Sequence, residues 1–525
     1  MRDGVELCLN VYLPFAASKE GQKVPVIASL GPYGKDIHSL DFVSPIGPDA
    51  CFELADPLIW THKHGYAIVR ADTRGTGGSG GRFDPFGLER SLEINGDAEG
   101  QDVHDLVEWA GTQSWSSGKV ALSGISYYGM VCWWGAMQRP KHLSAVVAYE
   151  GLCDIFNLAS RMGGIGNPPF QTHWFDNVTN QRGRLEGVAD SELKQNRADF
   201  IKLFYEYEWQ TGGVWSILER ERKLENIEVP VYSAGNWTDP EIHLPGNILA
   251  FYGASSKNKW LEMHTGNHLA AYYNADQIEI QRKFLDYFLR DQHDSGILDV
   301  PQINLQLSKG DNKQFYRAEQ SFPPKDVEWE SLYITGPGSL GKEKPAEDSF
   351  QIDYEGFTGR VQLLSEAFSD EFEILGCPYL ELFVKTEAED MDIFCYLRSQ
   401  KADGSLVIFT GNHNEPINNF TRSWVRLSHR ESAEDLLSQQ IPIIRNKQKT
   451  EIVKGQVYKV ILPIVPASYI FEPGYRLNVE IGACGTEDTL PIMRHQGGDR
   501  TPERFTGKNS ILPGSRVVLP RVRRT

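Results

Sequence analysis

The stretch Lys119-Val120-Ala121-Leu122-Ser123-Gly124-Ile125-Ser126-Tyr127-Tyr128-Gly129-Met130-Val131 sets a serine between a short apolar strand and an apolar run, Val131 to Met137, suited to a buried helix. A strand-to-helix turn of this kind pushes the serine hydroxyl out of a sheet, where a histidine can take its proton. Ser126 is therefore the candidate nucleophile. The pattern G-x-S-x-G is met on one side only: Gly124 stands two before the serine, but Tyr128 stands two after and Gly129 comes one place late. By themselves these residues read equally well as a serine in an ordinary tight turn, so the surrounding elements must decide.

Residues 5 to 13 alternate, with Val5, Leu7, Leu9, Val11 and Leu13 on one face, as a half-buried antiparallel strand does. Val24 to Leu30 and Tyr66 to Ala71 are continuous apolar runs, the pattern of central strands covered on both faces. The glycine cluster Gly75-Thr76-Gly77-Gly78-Ser79-Gly80-Gly81 lacks the Walker spacing and lysine and has no apolar helix directly behind it, so it reads as a structural turn rather than a phosphate loop. Asp97 to Gly111 has helical spacing, with Val103, Leu106, Val107 and Ala110 on one face. Beyond the serine, Leu143 to Tyr149, Val229 to Ala234 and Lys259 to Met263 read as strands and Asp276 to Leu289 as a helix. The aromatic-rich segment from Gly151 to Asn226 interrupts that alternation.

From about Pro323 the pattern changes to short apolar or alternating segments separated by turn residues: Tyr379 to Val384, Asp392 to Leu397, Val457 to Ile464 and Arg476 to Ile481. That is an all-β sandwich signature. The expected division is an α/β domain in two parts, 1–149 and 228–325, a helical insertion at 150–227, and an all-β domain at 326–525.

Composition excludes several classes of function. A net charge of −17 in 525 residues argues against nucleic acid or an anionic membrane as partner, and the short basic tail Arg521-Val522-Arg523-Arg524 does not alter that. No apolar run approaches the ~20 residues of a membrane span. Seven cysteines without C-x-x-C spacing indicate neither a disulfide framework nor a zinc site, and the pair His62 and His64 has no third ligand in reach along the chain, so no metal or other cofactor is expected. Polar residues stand where a signal peptide would carry its apolar stretch; a cytoplasmic location is the expectation.

In the α/β-hydrolase fold the triad follows the chain order Ser, then Asp or Glu, then His. The acid is sought after the second strand beyond the serine and the histidine after the third. The first of these loops reads Gly235-Asn236-Trp237-Thr238-Asp239-Pro240, which makes Asp239 the candidate acid, with Asp154 and Glu241 as alternatives. The second reads His264-Thr265-Gly266-Asn267-His268-Leu269. His268, beyond the glycine, is the preferred base, and His264, at the strand end, reads as structural; the other eleven histidines read as scattered.

Taken together, Met1-Arg2-Asp3-Gly4-Val5-x-Leu7, Pro32-Tyr33, Asp72-Thr73-Arg74-Gly75, the Gly124-x-Ser126-Tyr127-x-Gly129 elbow, the Gly235-x-Trp237-x-Asp239 loop and the loop ending in His268 resemble the cocaine esterase and X-prolyl dipeptidyl-peptidase (CocE/NonD) family of serine hydrolases. The resemblance spans essentially the whole chain. It implies an α/β-hydrolase domain with an inserted helical cap and a C-terminal jelly roll. It also implies Ser126 as nucleophile, His268 as base and Asp239 as the orienting acid, with the oxyanion bound by the Tyr33 hydroxyl and the Tyr127 backbone N–H. The late glycine at 129 is then the family's own elbow. One departure is the sequence Gly266-Asn267-His268 in place of the commoner Gly-x-Trp-x-His.

The expected activity is acyl-enzyme hydrolysis of carboxylic esters, with an X-prolyl dipeptidyl-peptidase or an α-amino-acid ester hydrolase as alternatives. The alternatives need carboxylates near the pocket to hold a free amino group, and Asp154, Asp176 and Asp190 lie in or beside the cap. A further alternative is a catalytically inactive protein that binds through the β-sandwich, for which Trp424, Tyr469 and Phe471 make too thin an aromatic row. The expected partner is a small ester or short peptide; self-association into a homo-oligomer is left open.

Overall fold

The computed structural model describes residues 1–37, 49–186, 196–486, 495 and 498–523, with side chains from 179 to 186 excepted. Among the described residues nine strands precede residue 320: β1 (Leu9–Tyr12), β2 (Val24–Gly31), β3 (Ala67–Asp72), β4 (Ser116–Ile125), β5 (Leu143–Tyr149), β6 (Val231–Asn236), β7 (Lys259–His264), β8 (Ile303–Lys309) and β9 (Lys313–Glu319). They pair side by side in the order β1-β3-β2-β4-β5-β6-β7-β8-β9. Neighbours from β3 through β8 run parallel, and β1 and β9 close the two edges antiparallel.

Every residue of β2, β3 and β6 is buried, which is why these strands read as unbroken apolar runs. On one face Val26, Ala28, Leu30 and Val69 pack with Val103, Leu106 and Val107 of the helix Ala98–Thr112 and with Val131 of the helix Tyr127–Met137. On the other, Ile27, Ile68, Ala121 and Val147 pack with Phe284 and Leu285 of the helix Ala275–Arg290. All residues of Tyr127–Met137 are buried, so the helix that carries the elbow is fixed by its entire circumference; each fully buried large apolar side chain contributes about 1.5–3 kcal/mol.

The first strand is shorter than its alternation suggests. Ahead of Leu9 the chain bonds to the glycine-rich turn instead of a strand: Gly80 N–H donates to the Glu6 carbonyl (2.9 Å) and Cys8 N–H to Ser79 Oγ (2.9 Å).

Between β5 and β6 the chain leaves the sheet and forms the helices Pro168–Glu186, Phe200–Tyr205 and Gly213–Glu221. Phe175, Phe200, Phe204 and Trp215 are buried there among one another, so most of the aromatic richness of this segment is core.

Beyond residue 326 the long strand pairs are antiparallel: Val327–Gly336 with Arg516–Val522, Tyr379–Thr386 with Tyr458–Pro463, and Asp392–Gln400 between Thr421–Arg426 and Arg476–Gly482. This is a C-terminal all-β domain with its own core, built from residues such as Leu382, Ile393, Val460 and Leu477. Trp424, Tyr469 and Phe471 lie inside, at no more than 2% exposure, so they form no exposed aromatic row. All seven cysteines are free thiols, and no helix among the described residues is long and apolar enough to cross a membrane.

Candidate active site

Ser126 stands between β4 and the helix Tyr127–Met137 at φ 55°, ψ −120°, a backbone region that costs a non-glycine residue about 1–3 kcal/mol. Its N–H donates to the Tyr149 carbonyl (3.0 Å) and its carbonyl accepts from Met130 N–H (2.8 Å), so the strain is held from both sides. The glycine pattern follows from close approach. A Cβ at Gly124 would lie 2.2 Å from Cβ of Tyr128, and one at Gly129 would lie 2.5 Å from the Tyr149 carbonyl oxygen. Tyr128 is accommodated because its ring lies over Gly31, where a Cβ would meet it at 2.4 Å. The glycine that an elbow ordinarily needs two places after the serine is supplied by Gly129 and by Gly31 on the neighbouring strand.

The imidazole at Ser126 is that of His243. Its Nε2 lies 3.3 Å from Ser126 Oγ, and its Nδ1 is hydrogen-bonded to Asp239 Oδ2. His243 is the N-cap of the helix Leu244–Gly253 and follows Asp239 by four residues, about one helical turn, which brings ring and carboxylate together. Asp239 is 2% exposed; burial pushes its carboxyl up, but His243 outweighs that and holds it down at about 2. Behind this loop Asn236 Nδ2 donates to the Gly266 carbonyl (2.8 Å), and the buried Glu241 accepts from Arg422 Nε of the all-β domain (2.8 Å). Glu241 is thereby committed to an ion pair. Asp154 is held by Asn157 and faces Arg445 at 3.5 Å, away from this chain of hydrogen bonds.

His268, the base expected from the sequence, has no hydrogen bond to Ser126. Its Nδ1 is hydrogen-bonded to Glu150 Oε2 (2.6 Å) and its Nε2 to Glu53 Oε1 (3.1 Å). His264 donates through Nε2 to the other oxygen of Glu150 (2.8 Å) and is a structural group. Burial disfavours both imidazolium ions, but the carboxylates outweigh it: Glu150 and then Glu53 hold His268 well above the usual histidine range, and Glu150 and Glu262 raise His264 to about 9. The rings of His268 and His243 stack, with centroids 5.3 Å apart and planes at 21°. His243 precedes β7 and so lies outside the loop to which strand order assigns the base. The available signal was its four-residue spacing from the acid, in Asp239-Pro240-Glu241-Ile242-His243.

The Tyr33 hydroxyl accepts from Trp174 Nε1 of the cap (3.0 Å), and its ring meets those of Tyr127 and Tyr128 edge-on beside the elbow. The hydroxyl of Tyr127 is spent elsewhere, donating to the buried Glu99 (2.7 and 2.8 Å) and accepting from Phe86 N–H (2.9 Å). Its backbone N–H is the first of the helix and has no acceptor within it. Phe86, Tyr127 and Trp174 cluster with near-parallel rings, each pair 5.2 to 6.0 Å apart; Phe86 and Tyr127 are buried and Trp174 is half-buried. Of the cap acids, Asp176 pairs with Arg197 (3.0 Å), and Asp190 lies outside the described residues.

Among the described residues Glu150, Asp239, His243 and His268 are near enough to be considered for a metal, with ligand atoms within 4.8 Å of one another. Each Nδ1 is hydrogen-bonded to a carboxylate of this group, His243 to Asp239 and His268 to Glu150. His62 and His64 sit at the end of a short surface helix, Leu58–Lys63.

A strained serine on a strand–helix elbow of a mostly parallel sheet, with a carboxylate-bound histidine on its hydroxyl, defines an α/β-hydrolase. Residues 3–270 match the model of the X-Pro dipeptidyl-peptidase (S15 family), and residues 295–517 match that of the X-Pro dipeptidyl-peptidase C-terminal non-catalytic domain. The chain therefore belongs to the S15 family and is a serine hydrolase of ester or peptide substrates. It is 22% identical to the cocaine esterase of Rhodococcus sp. (strain MB1 Bresler) in an alignment covering 100% of this chain and 97% of that one. It is 21% identical to a putative Xaa-Pro dipeptidyl-peptidase of Bacillus cereus, over 93% of this chain and 84% of that one. In fold it is similar to a CocE/NonD family hydrolase from Staphylococcus aureus (TM-score 0.87, 24% identity, 100% and 92% of the two chains). It is similar also to an α-amino acid ester hydrolase (TM-score 0.72, 17% identity, 99% and 95%).

Proposed function

We propose that this protein hydrolyses carboxylic esters through an acyl-enzyme, with Ser126 as nucleophile, His243 as general base and Asp239 as the acid that orients it. The observation that carries this reading is the hydrogen-bond chain from Ser126 Oγ through His243 to Asp239 at a strained elbow. A serine hydroxyl attacks a carbonyl only as its proton leaves; His243 Nε2 takes that proton, and the ionised Asp239 fixes the tautomer and stabilises the imidazolium that forms. The carbonyl oxygen becomes an oxyanion between the Tyr33 hydroxyl and the Tyr127 backbone N–H, two donors that cost no reorganisation as the charge develops. His243 then protonates the departing alkoxide, and water, activated by the same imidazole, releases the acid.

Esters are favoured over substrates with a free amino terminus by the chemistry around the serine. The part-exposed ring of Trp174, which donates to the Tyr33 hydroxyl, offers an apolar face for an acyl or aryl group. The described cap acids Asp154 and Asp176 are committed to Arg445 and Arg197 rather than left for an ammonium group. The α/β domain in two parts, 1–149 and 228–325, the cap of 150–227 and the all-β domain of 326–525 are proposed as the working units. A serine-directed sulfonyl fluoride followed by peptide mapping tests the nucleophile: absence of label on Ser126 sinks the mechanism. A panel of short-acyl aryl esters, amino-acid esters and X-Pro anilides tests the substrate class, and a preference for X-Pro anilides would overturn the ester reading.

A further inference from the structure

The hydroxyl of Tyr33 is reached from outside the α/β domain. Trp174, on the cap helix Pro168–Glu186, donates its indole N–H to that oxygen at 3.0 Å. A phenol has one proton, and an N–H accepted by its oxygen turns that proton away from the indole. The phenol keeps the proton: burial first, and then the Glu53 carboxylate, raise it, while the indole N–H acts the other way. A hydrogen bond accepted by a hydroxyl also polarises its O–H bond and makes it the better donor. The indole is itself held. Its ring lies nearly parallel to those of Phe86 (5.6 Å, 11°) and Tyr127 (6.0 Å, 12°) and is met from within the cap by Phe200 (5.7 Å, 59°). Phe86 stands at φ 62°, a left-handed conformation that a bulky residue holds only under constraint, and its N–H donates to the Tyr127 hydroxyl (2.9 Å). The loop that carries Phe86 is bonded to the cap, Phe83 N–H to the Asn196 carbonyl (3.0 Å) and Ala198 N–H to the Phe83 carbonyl (2.8 Å). Trp174 and Tyr127, which brings the backbone donor of the oxyanion site, therefore share one fixed cluster.

We propose that Trp174 is a positioning residue for the reaction: its indole N–H, donated to the Tyr33 hydroxyl, directs the proton of that hydroxyl to the oxyanion formed at Ser126, so that a side chain of the cap completes the donor pair. The inference rests on the reading of Tyr33 as an oxyanion donor. It gives the cap a part in the chemical step besides that of enclosing the substrate. The two roles open to Trp174 differ in what its loss does. As a wall for the acyl group it holds ground state and transition state alike, so its loss appears in KM and grows with the acyl chain. Acting through Tyr33 it is felt only as charge develops on the carbonyl oxygen. Its loss then appears in kcat, is the same for every acyl group, and vanishes once the Tyr33 hydroxyl is gone.

The test is a double-mutant cycle of Tyr33→Phe, Trp174→Phe and the two together, on the acetyl and butyryl esters of one aryl alcohol, each variant checked for folding by circular dichroism and thermal melting. Trp174→Phe keeps an aromatic ring and loses the N–H: kcat is expected to fall about 10-fold for both esters, the weight of one hydrogen bond, with KM changed by less than about two-fold. Made on top of Tyr33→Phe, the same change is expected to cost nothing further. Trp174→His restores a donor in place, because indole and imidazole are attached through alike five-membered rings and Nε2 of the imidazole falls where the indole nitrogen stood. It is expected to recover about three-fold or more of the lost kcat. Losses that multiply in the double variant, a loss confined to KM or growing from acetyl to butyryl, or Trp174→His no better than Trp174→Phe overturn the proposal. If Trp174→Phe does not fold, Trp174→Leu takes its place in the cycle. Tyr33→Phe separates the two readings: full activity there removes the oxyanion assignment itself, whereas a slow Tyr33→Phe beside an unaffected Trp174→Phe removes only the role of Trp174.

Discussion

Two carboxylate–histidine pairs face each other beside Ser126, Asp239–His243 and Glu150–His268, and by residue type they are interchangeable. The partner of the remaining nitrogen separates them. His243 Nε2 meets a hydroxyl that has a proton to give, and His268 Nε2 meets a carboxylate that can only accept. The first imidazole stands on the serine and the second between two buried acids. Burial does not distinguish them, since His243 is 5% exposed and His268 9%. Hydrogen-bond topology does.

The sharpest way to break this comparison is to remove each histidine in turn. Ser126→Ala and His243→Ala are each expected to lower kcat for aryl esters by about 10⁶-fold, and His268→Ala by far less; the reverse ranking of the two histidines in a steady-state assay would exchange their roles. Changing the acids sharpens it next. Asp239→Asn should cost about 10⁴ in kcat with little effect on melting, because the amide leaves the ring in the wrong tautomer. Glu150→Gln should instead show mainly as lost stability, about 3 kcal/mol in a denaturant titration, since it strips two buried imidazolium groups of a shared carboxylate. On the side of the oxyanion, Tyr33→Phe is expected to lower kcat by about 10²–10³ with KM nearly unchanged.

The smallest expected effect is on stability against pH. His264 is raised from its ordinary value of 6.5 to about 9 in the folded protein, so the unfolded chain releases that proton first as pH rises. Its contribution is complete below pH 6.5 and is lost progressively as pH climbs through about 9. Asp239 has the opposite sign: its carboxyl is lowered to about 2, so its contribution is present above the ordinary 3.8 and fades as pH falls toward 2. Melting temperatures recorded from pH 6 to 10 should decline through the first window, and His264→Gln should flatten that decline.

Much of this architecture is written in the local sequence. The apolar runs at Val24, Tyr66 and Leu143 fix central parallel strands, because only strands covered on both faces can do without polar alternation. The change to short alternating segments after residue 323 marks the all-β domain, and the position of Ser126 between strand and helix follows from the same local patterns. Asp239 is legible as the acid of the loop after β6. The base is another matter. Three histidines, at 243, 264 and 268, follow those strands, and strand order alone points to the last. Glu53, separated from His268 by more than 200 residues, takes the nitrogen that His268 would need, and Glu150 takes the other. Which ring reaches the serine depends on where distant carboxylates come to rest, and no spacing along the chain encodes that. The sequence by itself determined the strand–helix order and set Ser126 at an elbow; the tertiary structure decided which imidazole stands on that serine, because hydrogen-bond partners are chosen in space.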